Sequence, residues 1–387
     1  MVYIKPEFLR RQKTLTLNNT LKYDELPEKG LSAGLILKVD APTASGQHYS
    51  YDTTGDKFRL VDWITEVKII TDGKRPLKDL GGAEFQGAEY WNSKKPAVDF
   101  LADRTLYGDH CLIPIAFGRE LGDLEYYFNW GDYDSIELDI KNILDSTLHV
   151  SATIDIINLK IVDGESLAPS KGIFQERIWR TYQTVQDRKE YFKLPIGSPL
   201  RRILIRAVPD QESSSPYRRS DNFYDLIEQI KLTFGDGGEV ALDTYSIEQM
   251  ELMHMLHGGE VHTGGTLLGN SSGGGEMIRT GIGRMRSMQA TKAEVGTSVT
   301  EMNFGIYTYL DDLQSIYFDT GTNQYVHWDC FGLGYNNIIP IRFDLGGIDK
   351  MLDTVAKAPI QLELDCEDSS TAEDGTVQLI LSELVSR

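Results

Sequence analysis

Four residues able to hold a metal ion lie close together in the chain: His254, His257, Glu260 and His262. Imidazole nitrogens and a carboxylate suit zinc, iron or manganese. A helix over 246–257, opened by Ser246 and Gln249 as a capping box, would place His254 and His257 on one face. The tract after Gly258 is glycine-rich and gives such a centre little preorganisation. The competing account is a polar helix end. Other patterns are weaker. Gly269-Asn270-Ser271-Ser272-Gly273 fits the G-x-S-x-G form of a serine nucleophile, but that turn needs a strand before it and a helix after it. Gly281-Ile282-Gly283 begins like a dinucleotide loop, yet Arg286 stands where the third glycine belongs. Asp311, Asp312 and the acidic stretch 365–374 supply carboxylates with nothing to separate them into an acid and a base. No phosphate-cradling lysine loop is present. These residues lead to an expectation of no enzyme, no catalytic residue and no cofactor.

The elements that would position such residues follow from size and pattern. At 387 residues the chain is long for one core and suits two domains. A formal charge of −19 excludes a coat of nucleic acid and predicts no specific nucleic-acid partner. The cysteines Cys111, Cys330 and Cys366 are far apart with no CxxC pair, which fits synthesis in a reducing compartment. The start, MVYIKPEFLRRQK, has no apolar stretch of the secretory kind, and no run is long enough to predict a membrane-spanning helix.

Short segments rich in β-branched and aromatic residues predict strands at 31–40, 59–71, 110–117, 123–130, 134–142 and 147–161. A second set is predicted at 174–184, 199–207, 223–234, 301–309, 314–318, 336–343, 359–365 and 376–385. Helical pattern is scarce. It is confined to 246–257 and a short stretch near Ala83 to Trp91.

Four blocks then recur in one order. Leu26-Pro27 followed by Leu35-Ile36-Leu37-Lys38 returns, at one constant displacement, as Leu194-Pro195 followed by Ile203-Leu204-Ile205-Arg206. Ile64-Thr65-Glu66-Val67-Lys68-Ile69 matches Ile227-Glu228-Gln229-Ile230-Lys231-Leu232. Ile113-Pro114-Ile115-Ala116-Phe117 matches Ile339-Pro340-Ile341-Arg342-Phe343. Ile136-Glu137-Leu138-Asp139 matches Ile360-Gln361-Leu362-Glu363. Alternation alone makes any two strands alike, but four matches in order, two anchored on proline, predict a tandem duplication. The units are expected at 1–166 and 167–387. The second is longer because of a glycine-rich insertion at about 244–300, which holds the helix 246–257 and a tract from Gly258 to Gly283 read as a long mobile loop.

The succession LPEKGLSAGLILKV, WITEVKIITDGKRPLKDL, LIPIAFGRELGDLEYYFNW and DSIELDI resembles the N-terminal jelly roll of the corticovirus-type coat protein. With the duplication, the whole chain resembles the double jelly-roll major capsid proteins of tailless, membrane-containing double-stranded DNA viruses, corticovirus- and tectivirus-like. The resemblance implies an all-β fold of two tandem eight-stranded jelly-roll β-sandwiches with short helices in loops. It also implies homotrimers that tile an icosahedral shell around an internal membrane, neighbouring capsomers and minor or penton proteins as partners, and residence in the virion after synthesis in the host cytoplasm. On that view Lys5, Phe8, Leu9, Arg10, Arg11 and Lys13 form an arm toward the anionic membrane surface; a solvated tail is the alternative. The loop with Arg279, Arg284 and Arg286 becomes an outward tower or an arm onto a neighbouring trimer; an insertion with no partner is the alternative. Two other function classes stay open. One is a cupin-like metal-binding jelly roll, although its two histidines separated by one residue are not the spacing here. The other is a spike or carbohydrate-binding adhesion protein using the 19 tyrosines and 5 tryptophans, although no heptads mark a shaft.

Overall fold

Strand β3 (Leu31–Ala41) shows why this sequence builds sheets. Leu35, Leu37 and Val39 are fully buried while Ile36, Lys38 and Asp40, on the other face, are partly exposed. The computed structural model describes residues 2–42, 59–73, 76–97, 99–100, 109–144, 146, 149–185, 188–209, 223, 226–268, 275–279, 282–294, 315–319, 324–346, 350–366 and 375–385.

In the first part of the chain β1 (Tyr3–Thr14), β2 (Thr20–Tyr23), β3, β4 (Ile64–Thr71) and β5 (Pro76–Leu80) lead to helix α1 (Gly82–Ser93). Short β6 (Asp99–Phe100), β7 (Asp109–Ala116), short β8 (Phe128–Asn129), β9 (Ile136–Asn142) and β10 (Thr153–Val162) follow. The second part opens with β11 (Ile173–Gln183), β12 (Lys189–Lys193), β13 (Leu200–Pro209), β14 (Gln229–Phe234) and β15 (Glu239–Tyr245), which lead to helix α2 (Ser246–His257). After α2 come β16 (Val261–Leu268), β17 (Gly275–Arg279), β18 (Ile282–Glu294), β19 (Ser315–Asp319) and β20 (Gln324–Tyr335). The chain closes with β21 (Ile338–Arg342), β22 (Ile360–Asp365) and β23 (Gly375–Val385).

One sheet of the first part runs β1-β10-β3-β7, the other β2-β9-β4-β5. In the second part the orders are β11-β23-β13-β21 and β12-β22-β14-β15. Each order maps onto its counterpart strand for strand, and each pair of sheets has the eight strands of a jelly roll. The register repeats too. Leu37 lies opposite Ile113 and Ile156, and its counterpart Ile205 lies opposite Ile339 and Leu379. Val67 pairs with Ile140, and Ile230 with Leu364. The four repeated blocks thus occupy β3 and β13, β4 and β14, β7 and β21, and β9 and β22.

The two parts are joined edge to edge. β5 pairs with β11 in parallel, Lys78 opposite Glu176 and Asp79 opposite Arg177. Helix α1 is buried from Gly82 to Trp91, packed against β7 and β4 on one side and β20 and β21 on the other. A three-stranded sheet, β16-β20-β18, and the pair β17-β19 rise from the connection between α2 and β21.

Several expectations are corrected. The N-terminal segment is an edge strand rather than a tail: β1 pairs along β10 from Tyr3–Val162 to Thr14–Thr153. Its alternation is masked because its outer side faces solvent and carries charge. Segment 123–130 is mostly turn, since Arg119 folds back onto Asp123 at 2.6 Å and only Phe128–Asn129 is extended. Residues Leu60–Trp63 form a 3-10 turn before β4. The capping box at Ser246 is absent: Tyr245 is the N-cap, and the Gln249 side chain donates instead to the Pro340 carbonyl at 2.9 Å. The glycine-rich tract is not all loop, because β16, β17 and the start of β18 lie in it and Val261 and Ile282 are buried. The strand expected at 301–309 lies outside the described residues, as do residues 269–273 with their G-x-S-x-G pattern.

Candidate functional site at the seam between the two units

The densest buried polar chemistry lies where the first jelly roll meets the second. β5 delivers Lys78, β11 delivers Glu176, β13 delivers Arg201, Arg202 and Arg206, and α1 lies across them. The Lys78 ammonium is fully buried and donates to Glu176 at 2.9 Å; Arg202 donates to the other carboxylate oxygen at 2.7 Å. Arg202 also donates to the Ala88 carbonyl at 3.0 Å and to Asn92 at 2.7 Å. Arg201 reaches Asn92 at 3.0 Å and Asp344 at 2.9 Å, and Arg342 grips Asp344 with two donors. Trp91 donates its indole N–H to the Ile338 carbonyl at 3.0 Å, and Arg206 pairs with Glu84 at 2.5 Å.

The electrostatics follow from burial and partners. Burial alone would raise the Glu176 carboxyl, but Lys78 and Arg202 outweigh it and hold the group well below the usual carboxylate range. Burial lowers Lys78 against the pull of Glu176. Asp344 is likewise held low against burial by Arg342 and Arg201. Glu89 is the exception. Buried on α1, it is pushed up to about 7 by desolvation, although Asn92 and the Leu121 N–H donate to it and the Arg202 charge pulls it down. Removing one partner of such a buried pair typically costs about 3–5 kcal/mol, because the other charge stays behind. The cluster fixes how two sheets meet. It offers no open cleft, no nucleophile beside a base and no acid–base pair facing solvent.

The residues singled out from the sequence lie elsewhere. His254 and His257 are on α2, Glu260 follows it and His262 is in β16. His262 stacks on Phe331 with ring centroids 4.4 Å apart and lies 3.1 Å from an Asp329 oxygen. Among the described residues no group of three or more His, Cys, Asp or Glu could hold a metal ion. The three thiols are buried; burial pushes Cys366 up to about 11 and Cys330 higher still. Arg279 is in β17, Arg284 and Arg286 in β18, with a register shift beside Arg286.

On β1, Lys5 lies opposite Lys160, Phe8 opposite Ile157, Arg10 opposite Ile156 and Lys13 opposite Ile154. Leu9 packs on the main core, and Arg11 lies over the Phe8 ring at 3.8 Å. A cavity of about 380 Å³ opens beside this strand, lined in part by Glu7, Phe8, Leu26, Pro27, Trp130 and Lys160. Among the described residues no helix is long and apolar enough to cross a membrane. Sequence reasoning missed the seam altogether, because it placed PLRRILIRA in a strand without saying what its arginines would meet.

No protein-family model matches the sequence, and no curated protein is detectably similar to it. Solved structures do match. The STIV MCP superposes with a TM-score of 0.59 at 11% identity, over 99% of this chain and 97% of that one. A structure of Sulfolobus Turreted Icosahedral Virus gives 0.58 at 11% identity, over 98% of this chain and 90% of the other. The major capsid protein P2 from bacteriophage PM2 gives 0.50 at 11% identity, over 99% of both chains. At such identities the likeness establishes the fold. With the strand orders above, the chain is a double jelly roll.

Proposed function

We propose that this chain is a structural shell protein: the major capsid protein of a tailless double-stranded DNA virus, assembling as homotrimers into an icosahedral shell over an internal membrane. The observation that carries the reading is the end-to-end match to solved proteins that include the major capsid protein P2 from bacteriophage PM2. Two jelly rolls locked side by side by a buried charge cluster make a rigid double tile. Such rigidity suits a shell. The two tiles are residues 1–166 and 167–387, and the second carries the β16–β20 elaboration as a projection able to contact neighbours through Arg279, Arg284 and Arg286. The basic residues of β1 turn toward the membrane surface. The protein is made in the host cytoplasm and resides in the virion, beside minor and penton proteins; it takes no cofactor and catalyses nothing.

Negative-stain imaging of the purified protein tests the reading. Particles with a pseudo-hexagonal outline are expected, and single double-lobed particles at all concentrations would refute it. Flotation with anionic vesicles tests the membrane-facing role. Binding should weaken when Lys5, Arg10, Arg11 and Lys13 become glutamine, and vesicle binding unchanged by those substitutions would remove that role.

A further inference from the structure

Helices α1 and α2 are each 12 residues long and stand at the same place in their units, directly after β5 and β15. Matched from their first residues, Glu84, Gly87, Ala88, Trp91 and Asn92 of α1 fall on Glu248, Glu251, Leu252, Met255 and Leu256 of α2. On α1 these five positions are the face turned to the second unit. Glu84 holds Arg206, and a Cβ on Gly87 would lie 2.5 Å from Ile338. The Ala88 carbonyl and Asn92 receive Arg202, and Trp91 bonds the Ile338 carbonyl.

On α2 the same five positions are exposed: Leu252 at 42%, Met255 at 76% and Leu256 at 47%, with Glu248 and Glu251 beside them. The opposite face, Ser246, Gln249, Met250 and Met253, is buried. An apolar stripe at helical spacing that points into water signals a missing partner.

The complementary half is also visible. In the second unit Leu204 and Ile380, paired across β13 and β23, are fully buried in the two-unit chain. Their counterparts in the first unit, Ile36 and Ile157, pair in the same way across β3 and β10 but are only half-buried, and Phe8 beside Ile157 is 42% exposed. Arg206, the cation that meets Glu84, has Lys38 as its counterpart, itself half-exposed.

We propose that the outward face of α2 docks on the outer face of the β1-β10-β3-β7 sheet of a second copy, repeating between chains the junction that joins the two units within one chain. Leu252, Met255 and Leu256 cover Ile36, Ile157 and Phe8 of the neighbour, and Glu248 meets its Lys38 as Glu84 meets Arg206. Glu251 and Leu252 are bulkier than Gly87 and Ala88, so the helix stands further off and the contact is looser than the internal one. Such a head-to-tail contact uses two different patches and closes into a ring when the rotation allows. The proposal rests on the self-assembly reading above and assigns its seam.

Sedimentation velocity of the full chain across a concentration series tests it, with Val355→Glu, another exposed apolar site, as the control. Met255→Glu and Ile36→Glu should each weaken association by about tenfold or more, with unchanged circular dichroism and control-like melting. Lys38→Glu and Glu248→Lys should each weaken it, and the double exchange should recover much of the loss, an outcome that a mere folding defect would not give. A wild type that associates while Met255→Glu and Ile36→Glu associate equally well overturns the seam and leaves self-assembly standing. A double exchange no better than its singles overturns the Glu248–Lys38 contact. A wild type that stays monomeric overturns the self-assembly reading itself.

Discussion

Glu89 is a carboxyl whose ionisation the fold resists. Its carboxyl is pushed up to about 7 from an ordinary 4.5 by burial on α1. The folded value lies above the unfolded one, so the folded chain binds that proton more tightly. Its favourable contribution is present below the unfolded value and is lost as pH rises through about 7. Glu89→Gln, which removes the charge although its amide nitrogen must face Asn92 or the Leu121 N–H, should therefore gain about 2–3 kcal/mol relative to wild type between pH 5 and pH 8. Urea unfolding at the two pH values measures this, and equal gaps at both would contradict it. Glu176 has the opposite sign: its stabilisation is present above the ordinary carboxylate range and fails only in strong acid. Neither behaviour was legible in the sequence. Alternation marks one face of a strand as wet, but β13 is buried on both faces, because the other unit covers what would be its wet side.

Helix α1 is the element on which the two units converge, and Gly87 lets it come close. A Cβ there would meet Ile338 at 2.5 Å and the Tyr335 carbonyl oxygen at 3.1 Å. Gly87→Val should cost about 1–3 kcal/mol through overpacking and should lower the unfolding midpoint measured by calorimetry; an unchanged midpoint would show that the helix has room. The sequence marked this helix near Ala83–Trp91 but could not say what it touches. It also located all eight strands that carry the duplicated blocks. It missed β1, β2, β12 and β15, which lie at sheet edges, where one side faces solvent and the apolar rhythm fades, and it missed β5, β16, β17, β18 and β20, most of which fall in or beside the glycine-rich insertion. The 3.6-residue period of α2 was legible. The exposure of Leu252, Met255 and Leu256 was not, since an apolar stripe in sequence looks the same whether it meets its own core or another chain.

At the scale of the whole molecule, the duplication read from Leu35–Lys38, Ile203–Arg206 and their companion blocks corresponds to two jelly rolls with the same strand orders and the same register. Because the repeated blocks are core strands, their pattern survived in sequence while loops and edges diverged. The parallel seam of β5 with β11 was hidden, as it depends on how the units pack. The proposed seam follows from two like units of which one junction is satisfied within the chain. The most direct test is the mass of the wild-type protein in solution by light scattering after size exclusion. The account predicts a trimer of about 131 kDa from a chain of 43.6 kDa, persisting on dilution. A strict monomer at high concentration would contradict it.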